Sequence, residues 1–325
     1  MKAFDLPYQP IRRTLYTPEE LFDGYDPEDP ASWAETPDFA IYRHFVKNGR
    51  EATPDPYLGM MQALHDHAIT QATEAFLVDR KAAAIMGGHR IPRGSRPYLE
   101  AARLARRLTR DGVLVCTGGG PGVMEASHLG AALAGESESA LGEALDHLAS
   151  HPVVPAIGAI VSPTGEVVRE QAAEAHAWFQ PAYEVAEKIS APAESLAVPT
   201  WHYGHEPSTP FATHIAKYFQ NSVREAGLTA LATQGIIFTA GRAGTLQEIF
   251  QDSAQNFYRT QGHFSPMVLL GEAYWTEEFP VVPVLEALFS PEDFQKYVLI
   301  TDRVEEAAPS LRSFSLNDRE RTSLL

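Results

Sequence analysis

Twice in this chain a short apolar run breaks into glycines and then resumes with helical spacing. The two stretches are "VLVCTGGGPGVMEASHLGAALAG" (113–135) and "GIIFTAGRAGTLQEIF" (235–250). Uninterrupted apolar runs of this length suit strands covered on both faces, and a strand that feeds a helix directly is half of a parallel crossover unit. The same plan recurs along the chain. Further strands are expected in "AAAIMGG" (82–88), "ESLAVPTW" (194–201), "SPMVLLG" (265–271) and "KYVLITD" (296–302). Helices are expected over 57–80, 96–112, 211–228 and 243–260, and within "TEEFPVVPVLEALF". The class implied is α/β, a parallel sheet with helices on both faces. Ligands bind such sheets outside the carboxyl ends of the strands, where the glycine turns fall.

The alternation occupies 81–305. Before it, residues 1–80 read as an irregular arm, rich in Pro, Asp, Glu and Tyr, followed by one helix. Residues 136–193 break the rhythm and read as an insertion, helical over "ESESALGEALDHLA" and "EQAAEAHAWFQPAYEVAEKI", with a strand or hairpin in "PVVPAIGAIVSP". Residues 306–325 read as a C-terminal tail. The 26 basic and 42 acidic residues leave a net charge of −16, a surface that repels polyphosphate backbones and argues against a nucleic acid polymer as partner. The single cysteine, Cys116, excludes an internal disulfide and reads as core. No apolar run reaches membrane-spanning length and the first residues lack a signal-peptide core, so a cytoplasmic protein is expected, with no membrane partner.

The glycine turns carry the candidate chemistry. In "TGGGPGVME" (117–125), Gly118, Gly119, Gly120 and Gly122 permit positive φ and close approach of a ligand to the backbone. Pro121 suits the first helical turn. The free N–H groups and dipole of a new helix favour an anion. In "AGRAGTLQE" (240–248), Gly241, Gly244 and Thr245 offer a second such end, and Arg242 a cation for phosphate. Glu248 lies one helical turn beyond Thr245 on the same face, where the positive helix end is expected to keep it ionised. A purely structural reading also exists: Thr245 and Glu248 as a T-x-x-E capping box. Position 123 is valine, so G-x-G-x-x-G fails, and no lysine follows the glycines, so the P-loop pattern fails as well.

Other residues admit two readings. Arg90, Arg93 and Arg96 form a local basic cluster that either meets a phosphate or lies in solvent. His202, His205, Glu206 and His214 could suggest a metal, but their spacing matches no standard ligand pair, and no metal or cofactor is expected. Trp201 and Tyr203 suit packing better than base stacking.

The two glycine turns together resemble the Lonely Guy (LOG) family. Its members are often described as lysine decarboxylases, and many are nucleoside 5′-monophosphate phosphoribohydrolases. "GGGPGVM" is similar to the family's G-G-G-x-x-G-x-M, one residue shorter between glycines. "AGRAGTLQE" is similar to P-G-G-x-G-T-x-x-E, with Ala240 for the proline and Arg242 for the second glycine. Arg224 in "NSVREAGL" matches a family arginine that usually precedes a lysine, here replaced by Glu225. Glu206 in "YGHEPSTPF" resembles a family glutamate.

The resemblance implies a Rossmann-like fold and hydrolysis of the N-glycosidic bond of a purine or cytokinin-like monophosphate, with release of free base and ribose 5-phosphate. Glu248 would stabilise positive charge at C1′ or orient water, and Arg224 would hold phosphate or the ribose–Glu248 geometry. Gly241, Gly244 and Thr245 would cradle phosphate, the 118–122 turn would border ribose and base, and Gly88, Arg90, Met124 and Glu206 would touch substrate. A small-molecule nucleotide is the implied partner, and a homodimer the implied assembly. Alternatives on the same fold are a non-catalytic nucleotide sensor or a carrier of a phosphorylated cofactor. A true decarboxylase would need a pyridoxal lysine, and Lys81, Lys188, Lys217 and Lys296 offer no convincing setting for one.

Overall fold

The computed structural model describes residues 6–155, 160–204 and 206–313. Before the sheet come helices α1 (Pro18–Leu21), α2 (Pro37–Lys47) and α3 (Pro56–Leu77). Each carries proline in its first turn behind a Thr or Asp cap whose side chain accepts a backbone N–H. Seven strands follow: β1 (Ala82–Met86), β2 (Leu114–Thr117), β3 (Ser195–Ala197), β4 (His214–Ile215), β5 (Ile236–Phe238), β6 (Met267–Leu270) and β7 (Val298–Thr301). They form one sheet in the order β4-β3-β2-β1-β5-β6-β7, and every pairing is parallel. The α/β class and the Rossmann-like sheet expected from sequence are what the chain adopts.

Helices cover both faces of the sheet. Between β1 and β3 lie α4 (Arg96–Arg110), α5 (Val123–Ala132), α6 (Glu138–Leu148) and α7 (Arg169–Ala186). Beyond β4 come α8 (Asn221–Leu231), α9 (Ala243–Tyr258), α10 (Val282–Leu288), α11 (Pro291–Tyr297) and α12 (Val304–Ser313). Successive strand residues face opposite sides, and two apolar cores result: Ala82, Ala84 and Met86 join one, Ala83 and Ile85 the other. The first core also contains Tyr8, Tyr16, Phe39 and Phe45, so the N-terminal arm is packed into the sheet's own core. Buried polar contacts reinforce that union. Lys217 donates to both oxygens of Asp38, at 2.7 and 2.9 Å, and Trp201 donates to the same carboxylate at 2.9 Å.

Two local expectations change. The segment 211–228 was expected as one helix, but it divides into β4 and α8. Its apolar spacing in "FATHIAKYF" mimics a helix, yet pairing of Leu196 with His214 and of Ala197 with Ile215 extends the sheet by one edge strand. Residues 304–313, on the border of the expected tail, form a helix whose Ala307, Ala308 and Leu311 are buried in the second core; residues 314–325 lie outside the described residues. Within the insertion, α6 and α7 form as expected, and Val161 bridges Val167 in antiparallel fashion. Residues 156–159, in the remainder of the anticipated strand or hairpin, lie outside the described residues, as do residues 1–5 of the arm.

Candidate functional site

The chain leaves β1 in two directions, through β2 to β4 on one side and β5 to β7 on the other, so the turns after β1, β2 and β5 meet at a topological switch point. Backbone contacts tie these turns together. Gly88 N–H donates to Ala240 O at 3.1 Å, and Val123 N–H donates to Gly88 O at 3.3 Å. Gly88 therefore joins the two glycine turns.

The first turn is packed on its scaffold, with the N–H groups of Gly118, Gly120 and Gly122 donating no hydrogen bond among the described residues. Gly119 N–H donates to Thr117 Oγ1 at 2.9 Å, and Gly119 O accepts from Thr209 N–H at 2.9 Å. Thr117 Oγ1 also meets His128 Nε2 at 2.8 Å, and His128 Nδ1 meets Ser195 Oγ at 2.9 Å. Burial pushes the His128 pKa down to about 3, so this network is neutral. Gly122 has φ +70°, and a side chain there would overlap the Gly88 carbonyl oxygen. Pro121 precedes the helix rather than opening it, because α5 starts at Val123 with Gly122 as its cap. Met124 packs back over the glycines: its Sδ lies 2.9 Å from where a Cβ on Gly118 would sit.

The second turn is open. The helix begins at Ala243, so Thr245 is its third residue and no side chain caps it. That overturns the capping-box reading, since Thr245 is inside the helix and Glu248 is already in the second turn. Among the described residues, no hydrogen bond is donated by the backbone N–H groups of Gly241, Ala243, Gly244 or Thr245. Gly241 is held from behind, by Tyr274 Oη donating to its carbonyl at 2.5 Å and by the Thr245 side chain folded over it. Gly244 has nothing within 4 Å of a Cβ position, and Arg242 is exposed.

Between the turns lies a charged cluster on α8 and α9. Arg224 and Glu225 are 7% and 9% exposed. Arg224 Nη2 donates to Asn221 Oδ1 at 2.8 Å and pairs with Glu225 Oε1 at 3.1 Å. Its Nη1 lies 3.7 Å from a Cβ position on Gly118, which brings α8 against the first turn. The side chain of Glu248, a partly exposed residue, makes no hydrogen bond among the described residues. Burial of its carboxyl group and then the charge of Glu225 push its pKa up to about 8, while Arg224 pulls the other way. The ionised Glu248 expected from the helix dipole is thereby corrected: the carboxyl group lies past the first turn, where the dipole has faded, and desolvation wins.

Sequence reasoning missed what positions this cluster. The N-terminus of α8 is capped from a distance by the arm and α3. Asp66 accepts from Phe219 N–H at 2.9 Å and Gln220 N–H at 2.8 Å, and Glu51 accepts from Asn221 N–H at 3.0 Å. No local spacing could reveal caps more than 150 residues away in sequence. Tyr203 also joins the site, within electrostatic reach of Arg224, Glu225, Glu206 and Glu51.

Of the remaining candidates, Glu206 Oε2 lies 3.9 Å from a Cβ position on Gly120, and its Oε1 lies 3.9 Å from His89 Nε2. The arginine cluster disperses. Arg93 is buried in a two-bond pair with Glu125 at 2.6 and 2.8 Å, Arg96 pairs with Glu100 at the surface, and Arg90 is exposed. His202 faces Glu51 and His214 stacks on Phe76, while His205 lies outside the described residues. Among the described residues no group of three or more His, Cys, Asp or Glu could hold a metal ion. Lys217 is committed to Asp38 and Ser208, and Lys81, Lys188 and Lys296 are exposed, so none of the four forms a pyridoxal site. Cys116 is core, its thiol pushed up by burial.

Fold and site together define an α/β protein whose glycine turns meet at a topological switch point, with a carboxylate–arginine cluster on α8 and α9. No protein-family model matches the chain, and no curated protein matches it either. Among the described residues no helix is long and apolar enough to cross a membrane.

Proposed function

We propose that this protein hydrolyses the N-glycosidic bond of a nucleoside 5′-monophosphate, giving free base and ribose 5-phosphate. The observation that carries the reading is the coupling of Glu248 with Glu225 and Arg224, the last of them beside Gly118, on the helix whose first N–H groups have no partner among the described residues. In this reading the 5′-phosphate sits on the N–H groups of Gly241, Gly244 and Thr245 with Arg242 at its edge. The ribose lies between the second turn and Gly118, and the base runs along Gly120, Met124 and Glu206.

Glu248, with a pKa near 8, is largely protonated at neutral pH and donates its proton to the leaving base. The C1′–N bond breaks with its electron pair moving to the base. The carboxylate left behind faces the oxocarbenium carbon, and water adds at C1′ as its proton returns to Glu248. Arg224 fixes the ribose–Glu248 geometry, since its charge is already paired with Glu225. A panel of nucleoside monophosphates, with chromatographic detection of free base, tests the proposal. Equal amounts of base and ribose 5-phosphate are expected from at least one purine nucleotide. Binding without base release from any of them would replace the enzyme by a nucleotide sensor.

A further inference from the structure

Two polar atoms in the cluster have no hydrogen-bond partner among the described residues although both are buried: Arg224 Nε, a donor, and Glu225 Oε2, an acceptor. They belong to consecutive residues on α8, which are 7% and 9% exposed. The other ends of the same two groups already pair, Nη2 with Oε1 at 3.1 Å. A side-on arginine–carboxylate pair makes two parallel hydrogen bonds, whereas here Arg224 and Glu225 form an ion pair and the hydrogen bond of Nη2 goes to Asn221 Oδ1. Buried polar groups without partners are costly, and a site that leaves one donor and one acceptor on consecutive, ion-paired residues suits a ligand group that supplies both functions. A hydroxyl is the smallest such group, accepting from Nε–H and donating to a carboxylate oxygen. A phosphate, which only accepts, would satisfy Arg224 and be repelled by Glu225.

Resting on the phosphoribohydrolase reading of this site, we infer that Arg224 Nε and Glu225 Oε2 form a subsite for one ribose hydroxyl, with Glu225 the specificity-determining residue. The consequence is a protein that selects ribonucleotides over their deoxy analogues. Discrimination of this kind is strong, because the analogue leaves the site's buried groups unpaired.

Calorimetric binding and base release are measured with AMP, 2′-deoxy-AMP and 3′-deoxy-AMP, on wild type and Glu225→Gln. Wild type is expected to bind AMP at least tenfold more tightly than one deoxy analogue. Glu225→Gln is expected to shrink that ratio to about threefold or less, by weakening AMP more than the analogue. The wild-type comparison needs no substitution, so a folding defect in the variant does not obscure it. Equal binding of all three nucleotides with base still released would overturn the hydroxyl subsite and leave the hydrolase standing. Discrimination in binding without base release would do the reverse. Absence of binding by all three would overturn both.

Discussion

The two glycine turns look alike in sequence and differ in how closely their glycines are packed. At 117–122 Gly119 bonds inward to Thr117, Val123 bonds to Gly88, and Gly122 lies against the Gly88 carbonyl, while the N–H groups of Gly118, Gly120 and Gly122 donate no hydrogen bond among the described residues. At 240–245 the second turn is fixed from behind by Tyr274, and among the described residues the N–H groups of Gly241, Ala243, Gly244 and Thr245 donate no hydrogen bond. Glycine thus serves close packing in one turn, whereas in the other Gly244 meets open space.

The sharpest way to break that contrast is a matched pair of substitutions. Gly122→Ala places a methyl group on the Gly88 carbonyl at a positive φ, and denaturant unfolding should show a loss of about 3 kcal/mol or more. Gly244→Ala meets open space on a helix, and its stability should stay within about 1 kcal/mol of wild type. Its nucleotide affinity should fall because a methyl group would crowd the phosphate. Equal stabilities for the two variants would erase the division between the turns.

The next effect concerns chemistry. Glu248→Gln keeps the size and loses the proton and the charge, so turnover should drop by about 10²-fold or more with nucleotide binding retained. Unchanged turnover would remove Glu248 from the reaction.

A smaller effect follows from the raised pKa of the same residue. Because burial favours the neutral acid in the folded protein, Glu248 contributes stability that is fully present below the ordinary carboxylate pKa near 4.5. That contribution is lost as pH rises through about 8. Wild-type activity should also fall above pH 8 as the acid ionises. The thermal midpoint of wild type relative to Glu248→Gln should decline between pH 5 and pH 9; a flat difference would contradict the burial argument.

Arg242→Gly should have the smallest consequence. Arg242 is exposed and stands at the rim of the second turn, so it should matter most to a ligand with a second anionic group. Affinity for a nucleoside diphosphate should fall about tenfold, a charge-assisted bond's worth, with AMP changing much less. Equal losses would assign Arg242 to support of the loop.

Much of this was legible in the chain. Apolar runs such as "AAAIM" and "IIF" announce strands buried on both faces, and the glycines after β2 and β5 mark the strand ends where the cleft lies. β4 was hidden because a two-residue edge strand inside a helix-like apolar pattern has no period of its own. The capping box was misread because helix starts depend on backbone geometry: α9 begins two residues before the Thr245 that should have capped it. The protonation of Glu248 was unreadable because it depends on burial and on Glu225 from another helix. The caps supplied by Asp66 and Glu51 come from the other end of the chain and exist only in the fold.

The division between the turns meets its most direct test in a crystal structure of Glu248→Gln with a nucleoside 5′-monophosphate bound. The account predicts phosphate oxygens within hydrogen-bond distance of the Gly244 and Thr245 N–H groups, and the ribose between that turn and Gly118. A phosphate seated on the 118–122 turn, with the N-terminus of α9 unoccupied, would contradict it.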